Sequence, residues 1–493
     1  MFMQPAVSYS ARAIVALSAV LCPAVLAAQT GTIGLNFTGV TLSDGIALTG
    51  NGGYAPPDLD GAVGPSNIVE LINGAYAVYN KSTGALQQPM ISGRQFWTNA
   101  GIDPGNSINN LGVFNNRILY DPTTSRWIAA ALTGETINNK VLIARSDSSD
   151  PTGGWKAVGF LGNNGSGDKF VDFTSLGLDA NGVYVTTNNY PENGPTFGFG
   201  SISVFSLPKA DLLAATPTFE HMTRFDGLDT GYGNTLQPIV DFGPAKNHAP
   251  LVASFPGDNS DFYFRNDLAG TAAAGATFND NPTYVTTIAY HNPPSAAQPD
   301  GTSTVSTIDA RISGTVTQIG NTIYAVHATS FAGNAAIKWV KIDEPTNQVI
   351  QEGVISNPSF DYFQPSIGVN SNGDIVIGFT RSGFGAGGNL SAFAVVGKTT
   401  GGGVTFGTPF LLKAGVVNNY HYFSGRWGDY TTTVVDPSNP NTFWTFQEFA
   451  LGSNEWGTEI TQIIVPEPSS IALAATGMML LVAAAWRRRR ARA

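Results

Sequence analysis

DYFQPSIGVNSNGDIVIGFT, residues Asp361–Thr380, is the stretch that decides the fold. A polar opening, Asp361-Tyr362, leads into the short apolar run Ile367-Gly368-Val369. Asn370-Ser371-Asn372-Gly373 follows, and Asn and Gly tolerate the left-handed backbone that tight hairpin turns require. Ile375–Thr380 then has the apolar, β-branched content of a buried strand. The stretch therefore predicts two antiparallel strands joined by a turn.

Six more turn-then-strand units align with it. Gly64-Pro65-Ser66-Asn67 precedes Ile68–Ile72, and Asp121-Pro122 precedes Trp127–Leu132. Asp179–Gly182 precedes Val183–Thr187, and Asn247–Pro250 precedes Leu251–Phe255. Gly320-Asn321 precedes Ile323–Ala328, and Asp436–Pro440 precedes Phe443–Phe449. Self-similarity at a spacing of several tens of residues, built from short strands, is the pattern of a β-propeller, whose sheets bury their faces only against neighbouring sheets. The expected fold is all-β, a β-propeller over 55–464. Seven units suggest seven blades; the fourth is the weakest, which leaves six or eight open. A long array of β-sandwiches is the rival. Residues 28–54 read as a leader strand or linker without a helix signal.

Composition agrees. The 493-residue chain has 57 glycines, 11% aromatic residues and only 12% charged residues, which suits short strands and turns better than long helices. The one cysteine, Cys22, lies in the N-terminal apolar segment. Without that segment there is no thiol, which excludes disulfides, cysteine nucleophiles and cysteine metal sites. The whole chain carries a formal net charge of −10. Setting aside Arg12, the five arginines after Trp486 and Glu467 leaves 19 basic against 34 acidic residues in 28–465. Such a surface repels nucleic acid and favours neutral or cationic partners.

Met1–Ala27 has the layout of a secretory signal peptide: Arg12, an apolar run, and small residues before a cut after Ala27. At the other end, Val465-Pro466-Glu467-Pro468 precedes Ile471–Trp486, sixteen residues without charge, and then Arg487–Arg490. This is a short membrane span whose arginines favour the cytoplasmic side, leaving the body outside. The segment 465–493 resembles the PEP-CTERM sorting domain of Gram-negative bacteria. Pro466, Glu467 and Pro468 match its motif, Ile471–Trp486 its span, and the arginines its basic end. The resemblance implies an exosortase as partner, a passage through the inner membrane, and association with exopolysaccharide at the cell surface or in the matrix.

Candidate chemistry sits just before the first apolar run of several units. Asp58 and Asp60, Asn115 and Asn116, Asp172, Asp361 and Asp429 occupy similar phases. Residues in equal phase of a propeller form a ring at one mouth of the central channel. Clustered carboxylates there would attract cations and raise one another's pKa. Asp58-Leu59-Asp60-Gly61 offers oxygens to Ca²⁺ but only two carboxylates of the six to eight ligands needed. The densest cluster is Arg426-Trp427-Gly428-Asp429-Tyr430, with Asp436-Pro437 and Phe443-Trp444, where aromatic faces, guanidinium and carboxylate suit a sugar; His421 and Tyr422 beside Arg426 are additional candidates, and an internal Arg426–Asp429 ion pair is the structural alternative. Ser146–Trp155 resembles the Asp-box hairpin of sialidase-like propellers, which implies architecture and not activity. With Asp121-Pro122, Arg126-Trp127 and Val185–Tyr190, the body resembles secreted bacterial propellers of the sialidase-like, BNR-repeat type. No HExxH, nucleophile elbow, P-loop or dinucleotide fingerprint occurs. Two functions follow: an exported propeller that binds polysaccharide or a surface protein without catalysis, or a glycan hydrolase or lyase using a carboxylate at the mouth.

Overall fold

A computed structural model describes residues 31–50, 53–105, 112–134, 139–163, 169–191, 200–272, 275–401 and 403–466. The expected signal peptide, Glu467, Pro468, the span Ile471–Trp486 and the arginine cluster lie outside these. Among the described residues no helix is long and apolar enough to cross a membrane.

The regular structure is predominantly strand, laid down as successive antiparallel meanders. Asp361–Val369 and Ile375–Ser382 form the hairpin read from the sequence, with Val369 opposite Ile375. The Asn370 side chain accepts the amides of Asn372 and Asp374 at 3.0 and 2.9 Å, and Gly373 takes φ +77°. Ser391–Thr400 and two short strands, Gly403–Phe406 and Phe410–Lys413, extend this sheet outward. Similar meanders occupy 60–91, 113–161, 169–228, 237–290 and 316–355. The strands expected at 68, 127, 183, 251, 323, 375 and 443 are each the second strand of such a group.

The last meander, Thr432–Asp436, Asn439–Gly452 and Glu455–Ile464, takes its outer strand from the other end of the chain. Thr32–Thr41 pairs antiparallel with Glu455–Ile464, from Thr32 opposite Ile464 to Thr41 opposite Gly457. Part of the segment read as leader or linker is thus sheet. It continues into a helix, Leu42–Thr49, whose start is fixed by a reciprocal Thr41–Asp44 capping box. That Thr-x-x-Asp pattern is a helix signal the sequence reading passed over.

Each apolar core is shared by two consecutive groups, because alternate residues of a strand face opposite sheets. Ile68 and Ile72 pack with Trp444, Phe446 and Ile460 of the last group, while Val69 and Leu71 pack with Ile118 and Trp127 of the next. The first strands touch in cyclic order: Asp60–Val63, Val113–Asp121, Lys169–Leu178, Gln237–Val240, Val316–Ile319, Asp361–Val369, Thr432–Asp436, and back to Asp60–Val63. Parallel pairing of Val240 with Leu178 and of Ile239 with Val316 draws three of these strands together. Gly177 permits that approach, since a Cβ there would stand 2.5 Å from the Ile239 carbonyl oxygen.

Candidate functional site

The first strands share a distortion at their leading ends. Asn115, Phe173 and Gln364 have φ of +52°, +54° and +51°, each at a break in register with the second strand. Asp58 and Thr235, just ahead of their strands, have φ of +48° and +58°. Non-glycine residues in this region are strained and persist only where packing holds them, and a bulge re-aims the side chains beside it. The bulges gather at the mouth where the first strands begin.

A hydrogen-bonded chain runs across three groups there. Asn73 donates to Asp58 Oδ2 at 2.9 Å and accepts the Asn115 amide at 2.9 Å. Asn115 Nδ2 donates in turn to Asp172. From the last group, Arg426 pairs with Asp429 and donates to the Trp427 carbonyl at 2.7 Å. Glu448, on the neighbouring strand Asn439–Gly452, accepts the Gly428 amide at 3.0 Å. Arg311 holds Asp309 through two contacts of 2.7 Å, with its guanidinium 4.8 Å above the Phe173 ring.

Burial pushes the Asp58 carboxyl well above the usual range, and the charge of Asp429 adds to the rise against the opposing pull of Arg426 and Asn73. Burial likewise raises Glu448, with Asp58 and Asp429 adding and Arg426 opposing. Asp58 Oδ1 and Glu448 Oε1 have no hydrogen-bond partner among the described residues. Two buried carboxyls with raised pKa therefore lie beneath a partly exposed rim of Asp172, Asp309, Asp429, Arg311 and Arg426. Such a rim interleaves donors and acceptors, the pattern that grips vicinal hydroxyls.

Under the rim the axis is closed. Arg117, buried, lies 3.3 Å from the centre of the buried Tyr430 ring. It donates to the carbonyls of Thr174 and Ser313 at 2.8 and 3.1 Å and sits 4.0 Å from Asp60, while Tyr430 donates to the Asn116 carbonyl at 3.1 Å. Beyond this plug, at the trailing ends of the first strands, lies a cavity of about 390 Å³ lined mainly by apolar residues, among them Val63, Leu119, Val240, Ile319, Val369 and Val435. The charged cluster and this apolar cavity are thus at opposite ends.

The residues picked from the sequence divide accordingly. Asp172, Arg426 and Asp429 come together at the rim, with Asp58 buried beneath it. Asp60 does not face it: its oxygens take the amides of Gly61 and Ile118 and the Thr432 hydroxyl, and burial pushes its carboxyl up to about 6. Asp361 is also elsewhere. It stands three residues before the bulge residue Gln364, against one for Asp172, and it accepts the amides of Ala297 and Ala335 at 2.9 and 2.8 Å. Trp427 is fully buried, edge-on to Tyr420 at 4.8 Å, and donates to Thr380 at 3.2 Å. Neither Trp427 nor Tyr430 offers a face to a sugar, contrary to the stacking role expected of them. The exposed ring is Phe423, at 64% exposure, in the loop leading to Arg426. The side chain of His421 is exposed, and its backbone amide bonds the Ser453 carbonyl. Asn73, Arg117, Asp309, Arg311 and Glu448 were missed as site residues. Asp309 and Arg311 stand before the first strand of their own unit, in the same phase as the polar candidates of other units.

Among the described residues no group of three or more His, Asp or Glu side chains is placed to hold a metal ion. The Asp-box-like stretch forms the hairpin between the third and fourth strands of its sheet, with Asp147 N bonded to Gly154 O at 2.8 Å and the Trp155 indole donating to Pro151 O at 3.0 Å. That is away from the rim.

The PEP-CTERM protein-sorting motif matches residues 465–490, so the chain carries this sorting signal at its C-terminal end. No curated protein matches the chain. Similar solved structures include a NanB sialidase variant from Streptococcus pneumoniae, at 8% identity and TM-score 0.40, covering 81% of this chain and 82% of that one. Drosophila Semaphorin 1b, extracellular domains 1–2, aligns at 6% identity and TM-score 0.38 over 89% and 88%. A protein of unknown function from Dyadobacter fermentans aligns at 9% identity and TM-score 0.36 over 71% and 94%.

Proposed function

We propose that this is an exported, seven-bladed β-propeller, sorted by an exosortase through the inner membrane to the cell surface or matrix, where its charged mouth binds exopolysaccharide without catalysis. The cyclic contacts of the first strands and the closure of the last sheet by Thr32–Thr41 support the seven blades. The sorting motif supports the route.

The observation that carries the binding reading is the rim over a plugged axis. Partly exposed Arg426, Arg311, Asp429 and Asp309 offer paired donors and acceptors, Phe423 offers an apolar face beside them, and Arg117 with Tyr430 closes the channel below. A long polymer crossing this mouth has a surface to rest on and no tunnel to enter. The test is cosedimentation of purified residues 28–466 with the source organism's exopolysaccharide. Arg426→Ala and Arg311→Ala should weaken binding at least tenfold, about 1.4 kcal/mol, while Ser371→Lys at the opposite end should not. Equal binding by all variants would refute the assignment of the mouth.

One observation favours a second reading, a glycan hydrolase. Asp58 and Glu448 both hold protons more tightly than ordinary carboxyls and neighbour a further carboxylate, Asp429, which is the grouping a paired-carboxyl site needs. Their burial beneath Arg426 places them second. Release of reducing ends by the wild type and not by Glu448→Gln would promote this reading over the first.

A further inference from the structure

We infer that the face carrying the apolar cavity lies against the lipid surface while the chain is anchored by its tail, and that the charged mouth is held on the far side. The inference rests on the reading of the tail as a membrane span.

The first strands begin at the charged mouth and end at the cavity. In each meander, strands alternate in direction, so the third strand also ends on the cavity side. Glu455–Ile464 is the third strand of the last group. Ile464 pairs with Thr442, close to the Pro437–Pro440 turn that lines the cavity, and Val465 N bonds the Asn441 carbonyl at 2.8 Å. Pro466 is then fastened to the same face. Its carbonyl accepts Lys398 Nζ at 3.1 Å, and Lys398 also bonds Asp374 at 2.7 Å, in the turn whose Asn370 lines the cavity. Thr32, opposite Ile464, starts the N-terminal strand on this side too.

Only Glu467, Pro468, Ser469 and Ser470 separate this fastened point from the apolar stretch beginning at Ile471. Four residues reach at most about 14 Å when fully extended. The first strand Asp361–Val369, nine residues long, spans roughly 30 Å from one face to the other. The tether is therefore shorter than the body is deep, and the body cannot invert on it. The face turned to the lipid suits that position. Phe242, 43% exposed, rims the cavity beside Pro122, Pro437 and Pro440, and the lysines Lys81, Lys246 and Lys398 there are paired with Asp436, Asp241 and Asp374. The polymer-binding mouth then faces outward before any tail processing.

The test uses the full chain in a Cys22→Ser background, reconstituted in phosphatidylethanolamine–phosphatidylglycerol vesicles. A fluorophore is placed at Ser371→Cys, in the exposed turn at the cavity, or at Asn454→Cys, in the exposed turn on the mouth side. Headgroup-nitroxide lipids should quench the label at 371 several-fold more than the label at 454. Equal quenching, or stronger quenching at 454, overturns the orientation. Failure of the chain to float with the vesicles overturns it as well, by removing the anchor. Exopolysaccharide binding by the tail-free body is measured separately, so loss of the binding reading leaves a different signature.

Discussion

Replacing Glu70 with glutamine should flatten the pH dependence of stability. Glu70 lies fully buried on the strand Asn67–Ile72, and its Oε2 accepts Val40 N at 3.0 Å and the Tyr79 hydroxyl at 3.1 Å. It therefore ties the N-terminal strand that closes the last sheet to the first meander. Burial raises its carboxyl from 4.5 to about 7, against the hydrogen bonds that oppose the rise. The folded state thus holds this proton more tightly than the unfolded state. The resulting stabilisation is full below pH 4.5, declines as pH climbs toward 7, and is lost above it. The rise corresponds to about 3 kcal/mol, of which about 2.5 kcal/mol disappears between pH 5 and pH 8. Glutamine keeps an acceptor for Val40 and Tyr79 and cannot ionise. In urea denaturation of residues 28–466, the stability difference between variant and wild type should therefore shift by about 2.5 kcal/mol in favour of Glu70→Gln from pH 5 to pH 8. A difference that stays constant within about 0.5 kcal/mol across that range would refute the reasoning.

Arg117→Met should cost about 3–5 kcal/mol, because it leaves Asp60 buried without its cation and two carbonyls without a donor; a denaturation midpoint close to wild type would contradict the plug. Gly177→Ala should cost about 1–3 kcal/mol, since the added Cβ meets backbone that cannot rotate away, and full retention of thermal stability would argue against the close pairing of Leu178 with Val240. Deleting 467–493 should abolish retention at the membrane and surface and release the body to the medium, as read by fractionation. Unchanged location would remove the sorting account.

Much of the fold could be read in advance because its periodic elements are local. The Asn370–Gly373 turn and the strand after it depend on neighbours in sequence, and so do their counterparts in other units. Ring closure by Thr32–Thr41 was not legible, since its partner lies more than four hundred residues away and both edges of that strand carry ordinary β composition. The site was legible only by phase. Phase found Asp58, Asp172 and Asp429, but it could not foresee the bulges at Asn115, Phe173 and Gln364 that decide which side chains turn inward. Asp361 shows the consequence: the right residue type, two positions too early, spent on the amides of Ala297 and Ala335. Trp427 shows another limit. Its sequence neighbours Arg426 and Asp429 reach the rim, while its own ring, in the loop ahead of Thr432–Asp436, turns into the core. Glu448 was out of reach for a different reason, since it approaches the mouth from a second strand.

The most direct measurement of binding without catalysis at the charged mouth is light scattering on size-separated exopolysaccharide, before and after incubation with residues 28–466. The account predicts protein comigrating with polymer of unchanged length, and loss of comigration with Arg426→Ala. Shortened polymer with the wild type, and full-length polymer with Glu448→Gln, would contradict it.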